Sequence, residues 1–425
     1  MKRLFKTTYA KNVLTLIKGT TISQLIPIAI TPILSRLFTP ADFGVFALYS
    51  SILYVLSVFV SGRYEFAILL PKKNSDGMNL VALCGLIAIC VSFFFLIIAL
   101  LFKSNILLLL NSELLSSWIY IIPFSLFGMG MLQSFNYYVN RRKRYNVISY
   151  SRIYRSISTS TISLVGGLLS FAPGGLILGD LVGQIFAAFY LMRNILKEDA
   201  DIVQEVSKEQ MKVVGTRYIN FPKFQILSGF LEKCAGQAPV FLLTAFFNPA
   251  IVGFFSLSQS VIISPSALIS GAMGDVFRQQ ASEEYVSVGN STHVFKKTFK
   301  RLFLISTIPF FIGYFIIEEL FAFVLGEEWR VAGQYAKIMM PMFYLQFIVS
   351  PLSVMFVVAE KQKYDLLMQV FLFAGCVSAF YFNQNSESLA ITSFTIVYCL
   401  KYIVEFFLSY KFALGKEGHI PNNEH

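Results

Sequence analysis

Apolar blocks of about twenty residues, free of turn chemistry, recur along the whole of this chain. A helix of that length crosses roughly 30 Å of hydrocarbon. In lipid no water is available to satisfy a loose amide, so each block must close its own hydrogen bonds as a helix. Composition agrees: of 425 residues, 56% are hydrophobic and only 14% charged, where a soluble chain carries about a quarter. The expected class is an all-α polytopic membrane protein.

Hydropathy and loop breakers predict about twelve transmembrane helices, at residues 13–36, 43–62, 79–101, 114–139, 147–170 and 175–193, then 221–246, 250–273, 302–325, 333–359, 364–382 and 389–410. Loop charge tests this division. Lys2, Arg3, Lys6 and Lys11 precede the first span, and Arg63, Lys72 and Lys73 follow the second. Arg141, Arg142, Lys143 and Arg144 follow the fourth. Sorted onto alternate sides, twenty-five loop cations fall on one side and only Arg36, Lys103 and Arg330 on the other. The positive-inside rule then puts both termini in the cytoplasm. Exterior loops are short, and the long interior loops are 194–220 and 274–301. The basic N-terminus runs into an apolar stretch with no small-residue cleavage site, so a retained first helix is expected rather than a signal peptide.

Phe38-Thr39-Pro40-Ala41-Asp42-Phe43-Gly44-Val45-Phe46-Ala47-Leu48 follows the first span, and Phe247-Asn248-Pro249-Ala250-Ile251-Val252-Gly253-Phe254-Phe255-Ser256-Leu257 follows the seventh. Six of eleven positions agree at a constant offset of 209 (247 − 38). Proline at the first helical position starts a helix without wasting an amide hydrogen. Six spans per half is an even number, so the halves enter the membrane alike, as parallel repeats. Residues 1–205 form one expected six-helix bundle and 206–425 the other, the architecture of an alternating-access transporter.

Lys18, Arg152, Arg155, Lys223, Lys233, Lys337 and Lys401 fall inside or at the edges of the apolar blocks, against four acids, Asp180, Glu232, Glu318 and Glu405. A cation in hydrocarbon costs several kcal/mol, so such residues face a wet interior, snorkel, or pair. Arg152 and Arg155 are three apart on one helix face. Glu232 and Lys233 lie near mid-span, where snorkelling does not reach water. Lys401 and Glu405, four apart, have the spacing of a pair. A net-positive cavity focuses its field on anionic head groups. Lys18, Arg152, Arg155, Lys223, Lys233 and Lys401 are therefore the candidate substrate-binding cations. Glu65, Asp180 and Glu232 are the candidates for coupling to a proton or sodium gradient.

Other functions lack their chemistry. The net charge of +11 resides in short loops, a mark of topology and not of a nucleic-acid face. Cys84, Cys90, Cys234, Cys376 and Cys399 lie within apolar blocks without metal-ligand spacing and read as small buried hydrophobes. His293, His419 and His425 lie in loops or tail, so no metal site is expected. No phosphate-cradling glycine loop is present, no cofactor is expected, and the chain reads as a non-enzyme.

With these features in place, the chain resembles the polysaccharide (O-antigen, Wzx-type) flippase family of the multidrug/oligosaccharidyl-lipid/polysaccharide exporter superfamily. The resemblance rests on Leu34-Ser35-Arg36-Leu37-Phe38-Thr39-Pro40 with Asp42-Phe43-Gly44, on Arg63-Tyr64-Glu65-Phe66-Ala67-Ile68 and on Phe221-Pro222-Lys223-Phe224. It continues through Pro239 to Gly253 and on to Pro265. It implies two six-helix bundles around a central cationic cavity lined by basic residues of the first, fifth and seventh helices. It also implies transfer of an undecaprenyl-diphosphate-linked oligosaccharide from the cytoplasmic to the outer leaflet of a bacterial cytoplasmic membrane. Implied partners are the bilayer, the lipid-linked anionic oligosaccharide, and a polymerase and glycosyltransferases of the same pathway. A peptidoglycan lipid-precursor flippase, a multidrug antiporter of the same superfamily and a membrane glycan polymerase or ligase are the alternatives. The antiporter calls for an acidic or neutral cavity, and the polymerase for larger exterior loops.

Overall fold

The computed structural model describes residues 8–415, all of whose regular elements are helices, without a strand. Lys2, Arg3, Lys6, Lys416, His419 and His425 lie outside the described residues. The chain groups into two compact units, Met1–Ala245 and Phe246–His425.

The first unit holds α1 (Thr8–Leu37), α2 (Pro40–Leu56), α3 (Asn74–Leu109), α4 (Ile121–Arg141), α5 (Tyr145–Leu168) and α6 (Gly174–Glu198). It also takes in the short α7 (Ala200–Gln204), α8 (Lys208–Arg217) and nearly all of α9 (Ile226–Phe246). The second holds α10 (Pro249–Val288), α11 (Thr292–Leu325), α12 (Arg330–Leu352), the short α13 (Met355–Val358), α14 (Gln362–Phe382) and α15 (Glu387–Ala413). Each expected span overlaps helical chain, the second only the short α2 and the tenth both α12 and α13. Among the described residues, seven segments, α3, α6, α10, α11, Glu327–Val358, Lys363–Phe382 and α15, are long and apolar enough to cross a bilayer. The helices α1, α4, α5 and α9 dilute their apolar residues with Ser, Thr, Gln and Gly, and α2 is apolar but short. Large apolar side chains stand exposed in rows, among them Phe93, Phe94 and Leu101 on α3 and Ile308, Phe311 and Phe315 on α11. Surface of that kind is stable against lipid, not water.

The repeated loops fold alike. Thr39, extended at φ −73° and ψ 161°, caps α2 in a capping box with Asp42, and Pro40 is the first helical residue. Asn248, at φ −81° and ψ 161°, accepts from the Ile251 amide to cap α10, with Pro249 following.

The two long interior loops are largely helical. α10 continues past the expected end at residue 273 to Val288 and stops at Gly289, whose φ of 79° suits the left-handed cap. The 194–220 segment contains the end of α6 together with α7 and α8. Hydropathy sees a span end where the chain leaves the lipid, but the helix itself ends only at a breaker.

In the first unit α5 packs against α1 on one side and α6 on the other. Gly175, Gly179 and Gly183, four apart on one face of α6, meet Gly166, Ser163 and Thr159 of α5 so closely that a Cβ on any of the three would collide. Small residues let two backbones approach where lipid provides no hydrophobic drive. Arg141 donates to the carbonyls of Ile68, Pro71 and Lys73, while Arg142 and Arg144 each reach a buried Asp199 oxygen at 2.9 Å. These loop cations, expected only to mark topology, also tie α4 to its neighbours. In the second unit the core is aromatic: Phe255–Phe394, Phe380–Phe394 and Phe254–Trp329 have ring centroids 5.6, 5.8 and 5.8 Å apart.

Candidate functional site

The polar face of α5 sets the first cluster. Gly19 of α1 lies directly over Ser149, and Ser156 donates to the Ser23 carbonyl at 2.7 Å, so the α1–α5 seam is built from small residues. Arg152, one turn from each serine, donates through Nη1 to Thr20 Oγ1 at 2.5 Å. Lys18, two residues before Thr20, is exposed beside the same seam. Among the described residues neither Arg152 nor Lys18 has a carboxylate partner. Arg155, on the next turn of α5, pairs with Asp180 of α6 at 3.1 Å. Asp180 in turn accepts from Gln184 Nε2 at 2.6 Å. Gln184 is fully buried, and its own Oε1 has no hydrogen bond. Thus α1, α5 and α6 gather three expected cations and one expected acid, with Arg155 neutralised and the other two cations open.

The second cluster lies along α2 and α9, which run side by side. The Gln237 side-chain oxygen accepts from Ser51 at 2.7 Å, Lys233 Nζ stands 4.4 Å from the Tyr54 ring centre, and Phe230 meets Phe59 at 5.4 Å. At the far end Gly229 leaves the space that the Arg63 guanidinium fills. Lys233 is therefore half-buried in a cation–π contact and not free, whereas the adjacent Glu232 is exposed. Lys223 is exposed on a π-helical turn, Phe221–Gln225, that leads into α9.

Arg63 and Glu65 lie beyond the end of α2, Arg63 with a left-handed φ of 62° and Glu65 in a 3₁₀ turn, Tyr64–Leu69. Glu65 is buried, accepts from Ser61 at 2.5 Å and lies 3.9 Å from Arg63. Burial pushes its carboxyl above the ordinary range, and the Ser61 hydroxyl, its own amide and Arg63 pull the other way.

Lys401 belongs to neither cluster. It sits in the second unit in a buried pair with Glu405 at 2.6 Å, 4.3 Å from the centre of the Tyr402 ring. The pairing that its i, i+4 spacing allows is what forms, so its charge is cancelled on its own helix. Lys337 is near Glu318 at 3.9 Å. Within the first unit the expected binding cations lie on two seams, Lys18, Arg152 and Arg155 beside α1, α5 and α6, and Lys233 beside α2. Of the cysteines, Cys84 and Cys376 are buried as expected, but Cys90 is exposed on α3. Thr20, Gln184 and Tyr54 escaped the sequence reading. The first two lie two and four residues from expected site residues, and Tyr54 carries no sequence signal.

Residues 33–334 match the polysaccharide biosynthesis protein family. The chain belongs to this family. Solved structures share its fold. A structure of the lipid II flippase MurJ in an inward closed conformation has a TM-score of 0.71 at 11% identity, covering 94% of this chain and 90% of that one. A MOP-superfamily transporter from Pyrococcus furiosus gives 0.62 at 12%, covering 93% of each. The MATE transporter ClbM in complex with Rb+ gives 0.55 at 12%, covering 96% of this chain and 95% of that one. No curated protein sequence matches the chain. The all-helical polytopic membrane fold expected from the sequence is thus the fold of these transporters.

Proposed function

We propose that this family member is a flippase that moves an undecaprenyl-diphosphate-linked oligosaccharide from the cytoplasmic to the outer leaflet of a bacterial cytoplasmic membrane. It does so with both termini cytoplasmic and by alternating access of repeat halves 1–205 and 206–425. The observation that carries the reading is the pair of uncompensated cations, Arg152 and Lys18, beside Arg155 on the α1–α5 seam. An unpaired cation among membrane helices is costly unless water or an anionic ligand solvates it. A diphosphate supplies that partner: its oxygens accept from the guanidinium in the bidentate geometry arginine favours. The polyprenyl chain stays in lipid and needs no site. Transport, and no covalent chemistry, is the work such a site does.

Coupling to a proton or sodium gradient belongs to Asp180, which already holds Arg155, with Glu65 and Glu232 as the other candidates. Ligand binding that draws Arg155 toward phosphate would release Asp180 to take up a cation. A polymerase and glycosyltransferases that consume and supply the lipid-linked unit are the expected partners.

The test is Arg152→Gln with Lys18→Gln, neither of which strands a carboxylate, in a host that depends on this chain for its surface glycan. Loss of the glycan at normal protein abundance is expected, and normal glycan rejects the assignment.

A further inference from the structure

We propose that a groove inside the second unit, between α10 and α12, is a binding site for the neutral sugar of the transported lipid. This deepens the flippase reading and rests on it. The cavity holds about 340 Å³ and is lined by Ser270, Asp275 and Arg278 of α10 and by Phe343, Gln346 and Phe347 of α12. That volume lies at the small end of ligand sites, about 300–1,000 Å³, and suits a sugar ring or two.

The lining specifies the ligand's chemistry. Asp275 and Arg278 are one turn apart, yet among the described residues they form no ion pair with each other or with anything else. The Gln346 amide, half-buried, also makes no side-chain hydrogen bond there. A solvent-exposed carboxylate and guanidinium, a half-buried amide and the Ser270 hydroxyl thus face one space, while the Ser266 hydroxyl is spent on the Ile262 carbonyl at 2.7 Å. Polar groups in such a place are satisfied by water or by a ligand that offers both donors and acceptors. A sugar hydroxyl does both. The formal charges of Asp275 and Arg278 cancel, so this groove does not select an anion as the α1–α5 seam does. Phe343 and Phe347, 2% and 4% exposed, close the base of the groove, and Ile263, Ala267 and Val354 are its accessible apolar wall, against which the C–H faces of a pyranose pack.

The position also fits. Under the proposed topology, residues 263–278 run from the cytoplasmic half of the expected span 250–273 to just beyond it, and 343–354 take in the cytoplasmic end of α12. The glycan is presented from that side, and polar groups there are less costly than at mid-bilayer. A Cβ on Gly271 would meet nothing within 4 Å, so the wall at that point is open space.

The experiment measures binding of two lipids to the full chain in nanodiscs: undecaprenyl diphosphate, and the same lipid carrying one hexose or N-acetylhexosamine. The wild type should hold the glycosylated lipid about tenfold tighter, the scale of one or two net hydrogen bonds. Asp275→Asn with Gln346→Ala should erase the difference and leave the bare diphosphate's affinity unchanged. Gly271→Phe, which fills the groove without touching its polar groups, should do the same. Arg152→Gln with Lys18→Gln should weaken both lipids alike. Equal binding of the two lipids by the wild type, variants that keep the preference, or variants that lose both lipids together would each overturn the groove assignment. If the wild type binds neither lipid, the flippase reading itself fails.

Discussion

Arg155 on α5 holds Asp180 on α6 at 3.1 Å, and Asp180 is the more enclosed of the two, at 17% side-chain exposure against 40%. The acid therefore depends on the arginine more than the reverse. Arg155→Gln strands a carboxylate with only Gln184 for company and should destabilise the protein by about 1–3 kcal/mol, the scale of an unsatisfied polar group. Adding Asp180→Asn should recover most of it. Thermal unfolding of the two single variants and the double, as a mutant cycle, reads the coupling directly. Additive losses would mean that the contact contributes nothing.

The three-glycine face of α6 sets the register that makes this pair possible. Gly183→Val forces a side chain into Thr159 and the Arg155 carbonyl. The expected loss is about 1–3 kcal/mol or more, as for overpacked cores. Gly236→Ala, on α9 with nothing within 4 Å of its Cβ, is the control that should hold or slightly raise the melting temperature, alanine being the better helix former.

Lys401 and Glu405 form a buried pair that a purely structural role explains. Lys401→Met alone leaves a buried carboxylate and should cost about 3–5 kcal/mol. Lys401→Met with Glu405→Leu should fold near wild-type stability and still support surface glycan. Loss of glycan in a well-folded double variant would return Lys401 to the substrate path.

Glu65 gives a pH signature. Its folded carboxyl is held above its ordinary value of 4.5, chiefly by burial. A raised value favours the protonated form in the folded state. That contribution to stability is present below pH about 4.5 and is lost as pH rises through the folded value. Relative to Glu65→Gln, which does not titrate, the wild type should therefore lose stability between acid and neutral pH. Melting temperatures of both proteins across that interval test it. Parallel curves would contradict the burial argument.

The Pro40 and Pro249 starts were legible because proline at a first helical position is a local rule that both loops obey. The Lys401–Glu405 pair was legible from spacing on a single helix. Arg155 with Asp180 was not, because it depends on how two helices are rotated against each other, and the sequence shows only that each carries a charge. The cation–π contact of Lys233 with Tyr54 was hidden for the same reason. Asp275 carries no sequence signal and Arg278 reads only as a loop cation, because the apolar signal of α10 ends at about residue 273, while the helix runs on to Val288. Hydropathy registers where lipid stops, and hydrogen bonding decides where a helix stops.

The connection after α6 is fastened down rather than slack. Asn79 accepts from the Ser207 amide, Gln210 donates to Asp76, and the Tyr64 hydroxyl donates to the Gly215 carbonyl, after which α9 lies along α2. Anyone producing this molecule as two separately translated fragments should cut between α9 and α10, not in the charged stretch near residue 205. A break at 205 would strip the first fragment of a helix and a clasp that it uses.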